Sequence, residues 1–286
     1  LERRARVPGL SPDRADIIVP GVAILLEIMR HLEAPRLRAH DGGIRDGLLL
    51  TMVQEIFPGE RPAQRAGDPV AAARRFAAAC RTDERHGAHV ARLALSMFDQ
   101  LAAVEHDAGG DAAWARPQHR VVLETACHLL DVGYVINYTK HHVHSYNLIR
   151  HSELPGLSPG QVELAAQIAR YHRAAEPRSG HEHFAALDEA DRELVRRLAA
   201  IVRLAVGLDR THTQAISAVR ITARGRAARF VLEAAENPSV DIWGAERKAK
   251  MFRSVFGLEP QFVWVPPGAR TLGAGAPAPA GGTLNG

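Results

Sequence analysis

From about residue 70 to residue 210 the apolar residues recur every three or four positions, and almost nothing in this stretch alternates with period two. That spacing restricts it to helices packed against one another. One helix carries Val90, Leu93, Ala94, Met97, Phe98 and Leu101 on a single face, and another, over Glu189–Leu208, carries Leu194, Leu198, Ile201, Ala205 and Leu208. A third is expected from about Gln118 to Asp131, stopped at Gly133. A fourth begins at Ser158-Pro159, cap followed by proline, and runs to His172. After residue 215 the period changes. Ala218, Arg220 and Thr222 alternate with Val219, Ile221 and Ala223, and Ala228–Ala234 forms a second strand across a Gly225-Arg226 turn. A helix over Trp243–Phe256 and a strand over Gln261–Val265 follow. Before residue 58, Ser11-Pro12 starts a helix with Val22, Leu25, Leu26 and Met29 on one face; Leu37–His40 reads as a strand leading into Asp41-Gly42-Gly43. Pro58–Asp68 has linker composition, and Pro266–Gly286 is rich in Pro, Ala and Gly and is expected to be disordered. The fold class is mainly α.

The chain of 286 residues is 46% hydrophobic and 24% charged, ordinary for a globular protein in water. Its longest apolar run, Ile17–Met29, is broken by Pro20 and Gly21, too short to span a bilayer. It opens Leu-Glu-Arg-Arg, without a signal peptide or an initiator Met, so a preceding region is expected. Cys80 and Cys127 form no CxxC pair and read as thiols in a reducing cytoplasm. Lys140, Lys248 and Lys250 are the only lysines, and there are 15 histidines at a formal charge of +4. Such a balance suits a polyanionic partner, and equally suits arginine-rich solvated helices. The arginines of the C-terminal hairpin, Arg220, Arg224, Arg226 and Arg229, have no interleaved aromatics, which speaks against nucleic acid. No Walker loop, nucleophile elbow or GxGxxG is present.

Two clusters carry chemistry. His86 lies four residues before Val90 and His172 four after Ile168, so both continue apolar faces and point inward. Asp131 and Asp209 end helices, and inward-facing His and Asp from separate helices are what a divalent metal requires. Buried, hydrogen-bonded structural residues are the competing account. The run Lys140-His141-His142-Val143-His144 follows a helix stop, in a loop or helix start. With Arg150, Arg170 and Arg173 it offers repeated cations for a polyanion, or is simply a solvated basic surface, and Arg170 and Arg173 are spaced to share a face. A strand delivering Asp41-Gly42-Gly43 into a helix start exposes backbone N–H groups to a phosphate or nucleotide, or is simply a glycine turn.

The segments Gly9-Leu-Ser-Pro-Asp-Arg-Ala-Asp-Ile-Ile-Val-Pro-Gly21 and His40-Asp-Gly-Gly-Ile-Arg-Asp-Gly47, in that order, resemble the end of the actin-like lobe of Ppx/GppA phosphatases, with His40 and Asp46 departing mildly from that family's pattern. Asp131–Arg150 and Ile168–Arg173 are similar to the HD-like domain of the same family. The resemblance covers roughly residues 5 to 265. It implies the end of an actin-like (ribonuclease H-like) lobe over 1–58, a linker over 59–69, an HD-like helical domain over 70–212, a small α+β subdomain over 213–266 and a tail over 267–286. It further implies a Mg²⁺-dependent, usually dimeric enzyme that hydrolyses terminal phosphoanhydrides of inorganic polyphosphate or of guanosine pentaphosphate (pppGpp).

Catalytic residues are expected in N-terminal lobes beyond these residues, with Mg²⁺ bound mainly there, so that the chain alone is expected to be inactive. Its own contribution is then substrate binding through Lys140, His141, His142, His144, Arg150, Arg170, His172 and Arg173, together with dimer contacts. An intact HD motif places His immediately before Asp131; here Leu130 stands there, and His128, three residues before Asp131, is the nearest substitute. The metal set is thus His86, His128, Asp131 and Asp209. The alternatives are a stand-alone HD-type metal-dependent nucleotide phosphohydrolase and a non-catalytic polyphosphate-binding module.

Overall fold

A computed structural model describes residues 7, 15–37 and 67–269. The chain divides into two compact units, Leu1–Pro62 and Ala63–Gly286. In the first, helix α1 (Ile18–His31) buries none of its residues. The Ser11-Pro12 helix start, the Asp41-Gly42-Gly43 turn, the Leu37–His40 strand apart from Leu37, and the tail beyond Ala269 lie outside the described residues.

The second unit is the helical one. Helix α2 (Pro69–Ala79) starts on Asp68, whose Oδ1 accepts the Val70 and Ala71 N–H groups. Helix α3 (Glu84–Asp107) is capped in the same way by Asp83. Helix α4 (Pro117–His128) follows, then a 3₁₀ turn over Val132–Val135, α5 (His141–Arg150) and α6 (Pro159–Arg170). Ser158 and Gln161 close a full capping box at the start of α6, so the Ser-Pro signal there is borne out. A short α7 (Glu182–Ala185) leads into α8 (Glu189–Gly207), which buries Leu194, Leu198, Ile201 and Ala205 as the spacing predicts.

Strands β1 (Ile216–Arg224) and β2 (Ala227–Ala234) pair antiparallel across Gly225, and β3 (Glu259–Val265) returns parallel to β2 after α9 (Ser239–Glu246) and α10 (Ala249–Phe256). The sheet order is β1-β2-β3. One apolar core runs through both parts, from Leu93, Leu123 and Leu198 in the helices to Phe230 and Phe252. Polar side chains of α3 bind the edge of the sheet. Gln100 donates to the Val219 carbonyl at 2.9 Å and accepts the Ile221 N–H at 2.7 Å, and Arg92 donates to the carbonyls of Ile216 and Ser217.

Two expectations need correction. Helix α4 ends at His128, three residues before Asp131, so Gly133 is not its C-terminal stop. The helix expected over Trp243–Phe256 is two helices, with Lys248 as the N-cap residue of the second. The break lies where α9 meets α8. A Cβ on Gly207 would stand 2.7 Å from the Ala245 backbone nitrogen, so only a glycine admits this contact.

Candidate functional site

The early end of α4 shapes the site. Beyond His128 the chain turns, and the 3₁₀ segment is pressed so closely onto α5 that a Cβ on Gly133 would lie 2.1 Å from the His141 carbonyl oxygen. Ser145 clamps the contact: its Oγ donates to the Leu130 carbonyl at 2.7 Å and accepts the Gly133 N–H at 2.9 Å. Asp131 is thereby held against the first turn of α5, its Oδ1 3.3 Å from His141 Nε2. From the other side, just past α6, comes His172. Its Nδ1–H donates to the Ala169 carbonyl at 2.7 Å, as that of His141 does to the Tyr138 carbonyl at 3.2 Å, so each ring turns Nε2 away from its backbone anchor. The two imidazoles stack with centroids 5.5 Å apart. One ligand atom from each of Asp131, His141 and His172 lies within 4.8 Å of the others.

These groups open into a cavity of about 490 Å³ whose wall carries the cations Arg173, Arg203, Arg210 and Lys248, with His86, His212, Tyr134 and Tyr138 beside them. Burial keeps His172 neutral by lowering its pKa to about 3. Burial pushes the Asp131 carboxyl up, but the His141 hydrogen bond and the surrounding imidazoles outweigh it and hold it below its ordinary value. Lys248 is pulled down to about 7, first by burial and then by Arg203, Arg173 and Arg210, with Asp131 opposing. Arg203 fixes the turn after α6 by donating to the Tyr171 and Ala174 carbonyls at 2.9 and 3.1 Å. Its Nε is buried without a hydrogen-bond partner among the described residues.

The expected metal set is only partly brought together. His86 lines the cavity, and its Nδ1 lies 2.8 Å from Asp209 Oδ2. Asp209 is fully buried and also accepts the Gln214 N–H at 2.9 Å; it orients His86 and is not among the cavity's lining residues. His128 does not line the cavity either. With α4 ending at that residue, the helical spacing that would align it with Asp131 is lost.

The cationic run is divided as well. His141, His172 and Arg173 face the first cavity, whereas Lys140, His142 and Arg170 line a second one of about 440 Å³ with Arg178 and His181. Successive residues of α5 point about 100° apart, so its first turn serves both. Arg170 and Arg173 do not share a face, because α6 stops at Arg170. His144 packs its Cβ toward Gly133, and Arg150 pairs with Glu163 at 3.3 Å.

The sequence profile of Ppx/GppA phosphatase domain III matches residues 70–241, and that of the Ppx/GppA phosphatase family matches residues 1–56. The chain belongs to the Ppx/GppA phosphatase family. A guanosine-5'-triphosphate,3'-diphosphate pyrophosphatase of Vibrio campbellii (strain ATCC BAA-1116) is 31% identical over 220 residues, 77% of this chain and 40% of that relative. The protein of the same name from Vibrio vulnificus (strain YJ016) is 29% identical over 201 residues, 70% of this chain and 36% of the relative. The chain thus spans well under half the length of these relatives.

The family resemblance implies Mg²⁺, a hard cation that takes oxygen ligands in octahedral geometry. Two imidazole nitrogens and one carboxylate do not fit it. Residues that the sequence did not single out are Arg203, Arg210, Tyr134 and above all Lys248. The signal for Lys248 was its rarity, as one of three lysines in an arginine-rich chain. An uninterrupted helix drawn across it hid the break where it sits.

Proposed function

We propose that residues 70–266 form the substrate-holding part of a phosphoanhydride hydrolase, with an HD-like helical domain whose first cavity takes the terminal phosphates of guanosine pentaphosphate. The carrying observation is the convergence of Lys248, Arg173, Arg203 and Arg210 on one cavity, with the Lys248 ammonium disfavoured by burial and then by its cationic neighbours. Cations crowded in this way are stabilised when a polyanion joins them. The names of the Vibrio relatives supply the substrate class, a guanosine nucleotide with phosphoanhydride bonds. Inorganic polyphosphate presents the same terminal group and is the second substrate of this reading.

Hydrolysis itself, by a carboxylate-activated water with Mg²⁺ on the phosphates, is assigned to an actin-like lobe of which residues 1–58 are the closing part. The Mg²⁺ belongs with that lobe, since the described donors do not suit it. Dimerisation through the helical part belongs to the same proposal.

Calorimetric titration with pppGpp tests the reading. Lys248→Ala and Arg173→Ala are expected each to weaken binding about tenfold, the loss of one charge-assisted contact. Equal affinity in both variants rules the first cavity out as the phosphate site. Release of orthophosphate by this chain alone would favour a self-sufficient metal-dependent hydrolase, and binding without turnover favours the holding role.

A further inference from the structure

The geometry points to a divalent transition-metal site formed by Asp131 Oδ1, His141 Nε2 and His172 Nε2, at the floor of the first cavity. Three observations carry it. The separation of 3.3 Å between Asp131 Oδ1 and His141 Nε2 is longer than the ~2.7–2.9 Å of a charge-assisted hydrogen bond. It does match the edge of a coordination polyhedron, since bonds of ~2.0–2.1 Å at tetrahedral angles separate neighbouring ligand atoms by roughly 3.4 Å. Both histidines donate Nδ1–H to a backbone carbonyl, Tyr138 for His141 and Ala169 for His172. That arrangement turns each Nε2 into the site, as the outer partners of metal-bound histidines do; a metal would replace the proton through which His141 Nε2 bonds Asp131, beside the Arg173 guanidinium nitrogen 3.4 Å from that Nε2. His172 is 3% exposed, and its Nε2 makes no hydrogen bond among the described residues.

Two nitrogens and one carboxylate oxygen select Mn²⁺, Fe²⁺, Co²⁺ or Zn²⁺ over Mg²⁺. Among the described residues three protein ligands converge, so the remaining positions of the ion open into the cavity toward Arg173 and Lys248. The set differs from the metal set expected from the sequence: of its four members only Asp131 remains, and the two histidines come from the start of α5 and from the turn just past α6.

The test uses the full chain stripped with a chelator, in buffer free of phosphate. Titration with Mn²⁺, followed by the electron spin resonance of the free ion, is expected to show one site per chain. Asp131→Asn and His172→Gln should each weaken it by at least about tenfold. With Co²⁺, the unmodified protein should show visible bands of a nitrogen-containing site and two paramagnetically shifted imidazole N–H protons, one from each Nδ1 anchor. Those two resonances decide the matter even where a variant fails to fold. Unchanged Mn²⁺ affinity in folded His172→Gln, or Co²⁺ binding without shifted imidazole protons, overturns the site. The inference stands apart from the phosphate reading: metal binding retained where pppGpp binding fails would sink that reading alone, and the reverse result would sink this site alone.

Discussion

Two cavities flank the first turn of α5, and they divide its side chains between them. The first receives His141 and joins it to Asp131, His172 and a ring of arginines and lysine. The second receives Lys140 and His142 and adds Arg170, Arg178 and His181, with no carboxylate among its lining residues. Both are positively charged, but they can do different chemistry. The second can attract an anion only through surface charge, and Arg170 is already engaged over the rings of Tyr146 and Tyr171 at 5.2 and 5.6 Å. The first combines fixed cations with a carboxylate and two imidazoles, the donor set on which the proposed phosphate and metal sites both draw. A cluster of positive residues in sequence thus became two sites of unequal capability once a helix turned it.

The largest expected effect comes from breaking the first cavity at its base. Gly133→Ala puts a methyl group 2.1 Å from the His141 carbonyl oxygen and 2.5 Å from the Ser145 nitrogen, both backbone atoms of α5 that cannot give way singly. A loss of about 3 kcal/mol or more is expected in urea unfolding, because overpacking here displaces backbone. In whatever fraction folds, Mn²⁺ binding should be gone while the second cavity survives. A wild-type midpoint in this variant would show that Asp131 and α5 are not held together by this contact.

Next in size is the contrast between the two lysines. Lys248→Ala should weaken pppGpp about tenfold, whereas Lys140→Ala should cost about twofold at most, since an exposed charge acts through a high dielectric. Raising the salt concentration sharpens the difference. Screening should erase the Lys140 effect and leave most of that of Lys248, which is half-buried. Equal losses in the two variants at all salt concentrations would mean that both cavities hold the ligand in the same way.

Legibility in the sequence followed the range of the interactions. Val90–Leu101 and Leu194–Leu208 announced their helices because a helix's apolar face is a local pattern, and Ser158-Pro159 announced a helix start because a cap is local too. The inward direction of His86 and His172 was readable for the same reason, and both are buried. What could not be read was the meeting of Asp131, His141 and His172, which depends on a turn set by Gly133 and Ser145 and on the packing of α5 against α6. Lys248 was hidden by a helix break that local propensity does not mark; the contact of Gly207 with Ala245 accompanies it. His128 was misplaced by a single local error, three residues of helix that do not form.

That error yields the smallest and most discriminating prediction, a comparison of His128 with His172. Burial, with Arg74 second, lowers the pKa of His128 to about 4. Burial also lowers that of His89 to about 4, where Asp209 opposes the shift and Arg92 and His86 add to it. In the unfolded chain both titrate near 6.5. Between pH 6.5 and 4 the unfolded state therefore binds more protons than the folded one, and stability, complete above 6.5, falls as the pH drops through that window. Replacing either residue with Gln removes its proton uptake, so the fall in urea midpoint between pH 7 and pH 4.5 should become shallower in His128→Gln and in His89→Gln. Mn²⁺ affinity at pH 7 should be unchanged in His128→Gln and lost in His172→Gln. If His128→Gln also lost the metal, the ion would sit at the end of α4 and not between α5 and His172.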